Sequence, residues 1–230
     1  MSDKVGNLGS SFGPRQLVLA LDHAVSFARE DFLAGPSNAV ALTLIDRWPD
    51  WPDRIMALSG PEGSGKSHLA AIWAETTGAR VLAAKLLSET DLPTAFATGA
   101  LVVEDLEPAG LDERALFHLL NLAREESAYV LLTARSALAG FPVSIRDLGS
   151  RLRALPSVAL APPDDVLLRA VIVKLAADRQ LAVDEALVNY LANRIERSFA
   201  AAHAAVVRLD EEAMRQHRPV TRALASELFR

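Results

Sequence analysis

The sequence predicts an α/β fold, a parallel sheet between helices followed by a small all-helical lid, and three observations carry that expectation. Five short apolar runs alternate with helical stretches as far as residue 161, the rhythm of βαβ units. A complete G-x-x-x-x-G-K-[ST] loop, running from Gly60 to Ser67, stands between the first run and the next helical stretch. After Pro162 and Pro163 the strand-sized runs stop and only the 3.6-residue period continues. The expected divisions are a tail over 1–30, a nucleotide-binding core over 31–161 and a lid over 162–230; 230 residues suffice for a core and a smaller companion.

Residues 1–11 are polar and Gly-rich, with no apolar run that would serve a signal peptide. An isolated apolar segment follows at 16–21, and Phe32 and Leu33 then precede a turn through Gly35 and Pro36. Ser37 or Asn38 is placed to cap a helix carrying Val40, Leu42, Ile45 and Trp48, which Pro49 and Pro52 end. Strands are expected at 55–58, 81–84, 101–103, 129–132 and 158–160, too apolar to face water on either side, with helices at 66–77 and 112–126 between them. Beyond the double proline, helices are expected at 164–180, 184–197 and 198–217. Asp164 and Asp184 stand where a carboxylate caps free N–H groups and complements the helix dipole.

Composition excludes several classes of function. The chain has no cysteine, so disulfides, thiolate metal sites and cysteine nucleophiles are out, and His23, His68, His118, His203 and His217 form no pair at metal-ligand spacing. The net charge is −5 and no Lys/Arg block exceeds two residues, which argues against direct, self-sufficient DNA binding. No run approaches the ~18 apolar residues of a membrane span. The cytoplasm is the expected location.

The chemistry centres on the loop. Gly60, Gly63 and Gly65 let backbone N–H groups point inward at phosphate oxygens, beside Ser64 and a helix N-terminus with its partial positive charge. Lys66 is expected to span the β- and γ-phosphates and Ser67 to hold Mg²⁺. The run at 101–103 ends in Glu104 and Asp105, candidates for metal binding and for orienting water. The usual order is Asp then Glu, so the reversal weakens the case for hydrolysis more than for binding. Thr133, ending the next strand, is the candidate γ-phosphate sensor. Arg146, Arg151 and Arg153 precede the last core strand, where an arginine reaching across a subunit boundary stabilises a transferring phosphoryl group; solvated surface arginines are the alternative.

These residues together resemble a known family. The segment from Asp31 through Asn38 with Ala41, the loop continuing into His68 and Leu69, and Asp147-Leu148-Gly149-Ser150-Arg151-Leu152 with Pro162-Pro163-Asp164 look like the AAA+ module of the DnaA replication initiator family, over roughly residues 31–217. The full initiator continues into a helix-turn-helix DNA reader, whereas this chain stops at Arg230. With Gln16, Leu17, Leu19 and Leu21 ahead of the module, the chain is most similar to the Hda family of DnaA inactivators.

That resemblance implies a negative regulator of replication initiation, holding ADP or ATP with Mg²⁺ and stimulating hydrolysis of DnaA-bound ATP. It implies Arg151 as the arginine offered in trans, Asn38 and its neighbours with His68 at the nucleotide, and the segment 16–21 docked on the DNA polymerase sliding clamp. DNA is then met only through the clamp, no membrane is involved, and self-assembly is possible. Three positions depart from the family: Glu104 for the metal-side Asp, Ala134-Arg135 for a small residue and Asp, and Ala200 for the sensor-2 arginine, with Arg197 nearly one turn earlier as a substitute. An autonomous DnaA-related ATPase, kept open by Glu104 and Asp105, is the alternative. For the segment 16–21 the alternative is a half-buried edge strand.

Overall fold

The computed structural model describes residues 27–229. Five strands, β1 (Ile55–Ser59), β2 (Arg80–Ala83), β3 (Ala100–Leu106), β4 (Tyr129–Ala134) and β5 (Ser157–Ala159), form one sheet in the order β2-β3-β4-β1-β5. Every pairing is parallel. The central strands are apolar on both faces because helices cover both. Ile55, Ala57, Leu101, Val103, Val130 and Leu132 pack in one buried cluster, and Met56, Leu58, Val102 and Leu131 in another.

The helices crossing between strands are α2 (Lys66–Thr77), the short α3 (Leu92–Ala95), α4 (Glu113–Glu125) and α5 (Arg146–Ala154), preceded by α1 (Ala39–Asp46). Then come α6 (Asp165–Asp178), α7 (Glu185–Ala192), α8 (Phe199–Gln216) and α9 (Arg222–Leu228). These last four bury a third cluster around Leu168, Ile172, Leu191, Leu209 and Leu224. The class expected from the sequence, a parallel sheet between helices with helices after it, is what the structure shows.

The caps explain where the later helices start. The Asp164 carboxylate accepts from the Leu167 N–H at 2.8 Å, Asp184 from Leu187 at 2.7 Å, and Ser198 from Ala201 at 3.1 Å. Each satisfies an N–H that the first turn leaves unpaired.

Two expectations need correction, and three helices were not foreseen. The helix expected over 184–197 ends at Ala192, because Arg194 and Ile195 both turn back onto the Leu191 carbonyl and the chain then resets for the Ser198 cap. Asn38 precedes α1 without capping it through its side chain. Helices α3 and α9, at four and seven residues, are too short for periodicity to reveal. The arginine-bearing segment before β5 is the helix α5. The segment holding Gln16, Leu17, Leu19 and Leu21 lies outside the described residues. Among the described residues no helix is long and apolar enough to cross a membrane.

Candidate nucleotide site

The loop between β1 and α2 is shaped by close approaches. A Cβ at Gly60 would lie 2.5 Å from the Leu160 carbonyl oxygen, and one at Gly63, where φ is 69°, would lie 2.7 Å from the Ser198 Cβ. Glycine is therefore required at both positions by contact as well as by conformation. The Gly60 N–H donates to the Ala134 carbonyl at 3.1 Å, and the Phe199 N–H donates to the Gly63 carbonyl at 2.9 Å. The first bond ties the loop to the end of β4; the second ties it to the start of α8.

Lys66 opens α2 and is 6% exposed. Its ammonium donates to the carbonyls of Gly60 and Pro61, both at 2.8 Å. Burial pushes its pKa below the ordinary lysine value and Arg135 adds to that lowering, while the negative charges of Asp105, Glu62 and Glu104 oppose it. A buried ammonium satisfied only by loop carbonyls is a cation available to an anionic ligand. Ser64 Oγ, also buried, has no hydrogen-bond partner, and Ser67 is exposed at the cleft.

That cleft, of about 480 Å³, separates the loop and start of α2 from α6 and α8. Gly63, Gly65, Lys66, Ser67 and His68 line one side, Phe27, Phe32 and Leu33 the mouth, and Lys174, Arg179, Ala200 and His203 the other. His68 lies edge-on between Phe27 and Phe32, with ring centroids 5.3 and 5.1 Å away. Its Nε2 is 3.0 Å from the Ala28 carbonyl, and burial holds its pKa below the usual imidazole range. Contact with a carbonyl, which can only accept, makes Nε2 the donor in that bond. His203 is pushed down in the same direction by burial and by Arg179. Across the cleft, Lys174 bonds Asp31 at 2.6 Å and Asp178 at 2.7 Å, a tie between the segment before α1 and helix α6.

A second polar group sits at the strand ends. Val103 pairs with Leu132 and Leu106 with Ala134, so Glu104 and Asp105 together oppose Thr133 in a β-bulge. Asp105 adopts φ 58° and its N–H donates to Thr133 Oγ1 at 3.1 Å. Glu104 Oε1 is buried without a partner. The structure thus brings Glu104, Asp105 and Thr133 together, with Lys66 within their electrostatic reach. The reversed acidic order has a structural counterpart, since the bulge inserts an extra residue where the two acids stand.

Four other candidates stand elsewhere. Asn38, 2% exposed, does not face the cleft; its Oδ1 accepts from the Gly35 N–H at 2.8 Å and its Nδ2 donates to the Leu33 carbonyl at 3.0 Å. It braces the turn that presents Phe32 and Leu33. Arg151 stacks over the Phe117 ring at 4.7 Å and donates to Asn121 Oδ1, so α4 orients it, half-buried and apart from the cleft. Arg153 is exposed and donates to Ser150 Oγ at 3.2 Å. Arg197 is not among the cleft-lining residues and pairs with Asp165 at 2.8 Å. Sequence reasoning missed Lys174, Arg179 and His203, the lid's polar contribution, because cations scattered along amphipathic helices look like any solvated face.

The structure joins a parallel sheet in the order 2-3-4-1-5, a glycine-rich loop after β1, acids ending β3 and a helical bundle across the cleft from the loop. No protein-family profile matches the sequence. The chromosomal replication initiator protein DnaA of Thermomicrobium roseum is 25% identical across 96% of this chain, which spans 54% of that protein, about half its length. Among solved structures, domain III of Thermotoga maritima DnaA superposes with a TM-score of 0.70 at 16% identity, covering 86% of this chain and 93% of that one. AMPPCP-bound DnaA from Aquifex aeolicus gives 0.66 at 17%, covering 83% and 69%. The Thermotoga maritima RuvB R170A variant gives 0.68 at 15%, covering 88% and 70%. The fold is therefore that of a DnaA-like AAA+ module.

Proposed function

We propose that this protein binds adenine nucleotide in the cleft between the sheet and the helical bundle, and uses that state to regulate DnaA. The observation that carries the first half is Lys66: a buried ammonium, held by loop carbonyls, lining a cleft on one side and within reach of the strand-end acids on the other. The Aquifex aeolicus relative holds AMPPCP in the same fold. Phe27, Phe32 and His68 offer an aromatic surface for a base, and the loop N–H groups and Lys66 receive the phosphates. Ser67 with Glu104 and Asp105 would hold Mg²⁺, which supplies charge neutralisation between phosphates. The unpartnered Glu104 oxygen fits that role.

The regulatory half rests on the likeness to DnaA along nearly the whole chain and on the motifs shared with DnaA inactivators. In this reading Arg151 acts in trans on DnaA-bound ATP, with Phe117 and Asn121 setting its direction, and Gln16, Leu17, Leu19 and Leu21 tether the protein to the sliding clamp. Contact with DNA runs through the clamp. The strand-end group favours a second reading, an ATPase that hydrolyses its own nucleotide, because Glu104, Asp105 and Thr133 meet near Lys66. Titration with ADP, followed by a turnover assay on the isolated protein, tests both. Binding with slow turnover is expected. Turnover unaffected by DnaA at rates typical of an ATPase favours the second reading, and no binding overturns the site.

A further inference from the structure

The helical bundle carries a second pocket, of about 390 Å³, that shares no residue with the nucleotide cleft. Ala186, Asn189, Tyr190, Asn193, Arg194 and Arg222 line it. None of the six is acidic, in a chain where 29 Asp and Glu outnumber 24 Lys and Arg. Tyr190 is half-buried and fixed, its hydroxyl donating to the Phe229 carbonyl at 2.9 Å. Two guanidiniums gather on its ring: the Cζ atoms of Arg194 and Arg222 lie 5.1 and 5.7 Å from the centroid. Each arrives by a separate local cause. Helix α7 stops at Ala192, and the Arg194 N–H turns back onto the Leu191 carbonyl at 2.9 Å. The Thr221 hydroxyl accepts from the Leu224 N–H at 3.3 Å, a cap that makes Arg222 the first residue of α9. Contact with the ring holds both side chains in place but neutralises neither charge. Among the described residues neither guanidinium has a carboxylate partner, and the side-chain amides of Asn189 and Asn193 have no hydrogen-bond partner.

We propose that this pocket docks an acidic segment of a partner protein, whose carboxylates become the missing ion partners of Arg194 and Arg222. Two like charges gathered on one ring repel, and an anion shared between them removes that cost. The guanidinium fork matches the two oxygens of a carboxylate in paired N–H bonds, and the asparagine amides add donors beside it. Asn193, Arg194 and Arg222 are exposed, so the pocket is open to a segment laid across it rather than closed around a small molecule. A nucleic-acid backbone fits less well. It is held by many cations along its length, whereas two stand here, on a chain of net charge −5 with Asp184, Glu185 and Glu196 close by in sequence. The pocket stands apart from the cleft, so the inference does not rest on the nucleotide-binding reading.

The test titrates the full chain with a capped oligoglutamate peptide, an oligoglutamine peptide of equal length, inorganic phosphate and oligothymidylate, read by calorimetry. Wild type is compared with Arg194→Gln, Arg222→Gln, the double variant and Arg208→Gln. Arg208 lies over the Phe229 ring and outside the pocket lining, so Arg208→Gln removes the same charge from the same bundle. Oligoglutamate should bind wild type and weaken with added salt, and oligoglutamine should not bind. Arg194→Gln and Arg222→Gln should each weaken oligoglutamate at least about fivefold, and the double variant at least about twentyfold, while Arg208→Gln changes it less than about twofold. Absence of binding to wild type, full binding in the double variant, or an equal loss in Arg208→Gln overturns the inference; the last would assign the effect to the general field of the bundle. Phosphate or oligothymidylate binding more tightly than oligoglutamate, with the same dependence on the two arginines, overturns the acidic segment as occupant. Melting temperatures of the variants within a few degrees of wild type establish that the fold is intact.

Discussion

Lys66 is satisfied by two loop carbonyls at 2.8 Å, and a phosphate replaces neutral acceptors with charged ones. Lys66→Ala should therefore weaken ADP binding by well over tenfold, on the order of 2 kcal/mol, read by titration calorimetry. The two cleft histidines make a pH prediction. Burial lowers the folded pKa of His68 and of His203 below the ordinary 6.5, with Arg179 adding to the effect at His203. Below pH 6.5 the unfolded chain takes up protons that the folded chain resists, so stability falls as pH drops through that value and is fully present above it. Denaturant midpoints of wild type should decline from pH 6.5 toward about 5.5, and His68→Gln should decline less. At this scale the sequence was legible where a motif dictates backbone geometry, as from Gly60 to Ser67. It was not legible at Asn38, whose amide is consumed by Leu33 and Gly35, nor at Glu104 and Asp105, whose bulge depends on pairing with β4.

The central strands β1, β3 and β4 were readable from patterning because burial on both faces leaves apolar runs, and α2 and α4 because amphipathic helices leave a 3.6-residue period. The caps were readable too. Asp164→Ala should cost about 1 kcal/mol by leaving the Leu167 N–H unpaired at the start of α6, a fall in melting temperature of about 2–4 °C for a chain of this size. Gly63→Ala tests the contact between loop and bundle. Its Cβ would meet Ser198, the cap of α8, in a backbone conformation that disfavours any side chain. That substitution should lower both stability and ADP affinity, whereas an effect confined to stability would separate α8 from the site. The short helices were invisible because four or seven residues carry too little periodicity, and α7 stops early for a local reason, the turn onto the Leu191 carbonyl.

For the molecule as a whole, the cleft takes its two sides from elements more than a hundred residues apart, α2 and α8, and no local pattern announces such a meeting. Lys174, bonded to Asp31 and Asp178, holds the segment before α1 against α6 across that cleft. On the far side of the site, Glu113 at the start of α4 accepts from the Ser144 and Ile145 N–H groups just ahead of α5, and Phe117 and Asn121 of the same helix hold Arg151. One helix thus sets both the position of α5 and the direction of its arginine. The proposed clamp tether makes its own prediction: Gln16→Ala with Leu17→Ala should weaken clamp binding at least about tenfold without an appreciable change in melting temperature. A loss of several degrees with clamp binding unchanged would assign the segment to the fold instead. The most direct measurement is the lifetime of DnaA-bound ATP in the presence of DNA-loaded clamp, with this protein, with its Arg151→Ala variant, or with neither. The account predicts rapid hydrolysis with wild type and, since arginines supplied in trans contribute about 10³ to 10⁵ in rate, decay at the unassisted rate with Arg151→Ala. Decay at that unassisted rate with the wild-type protein present would contradict it.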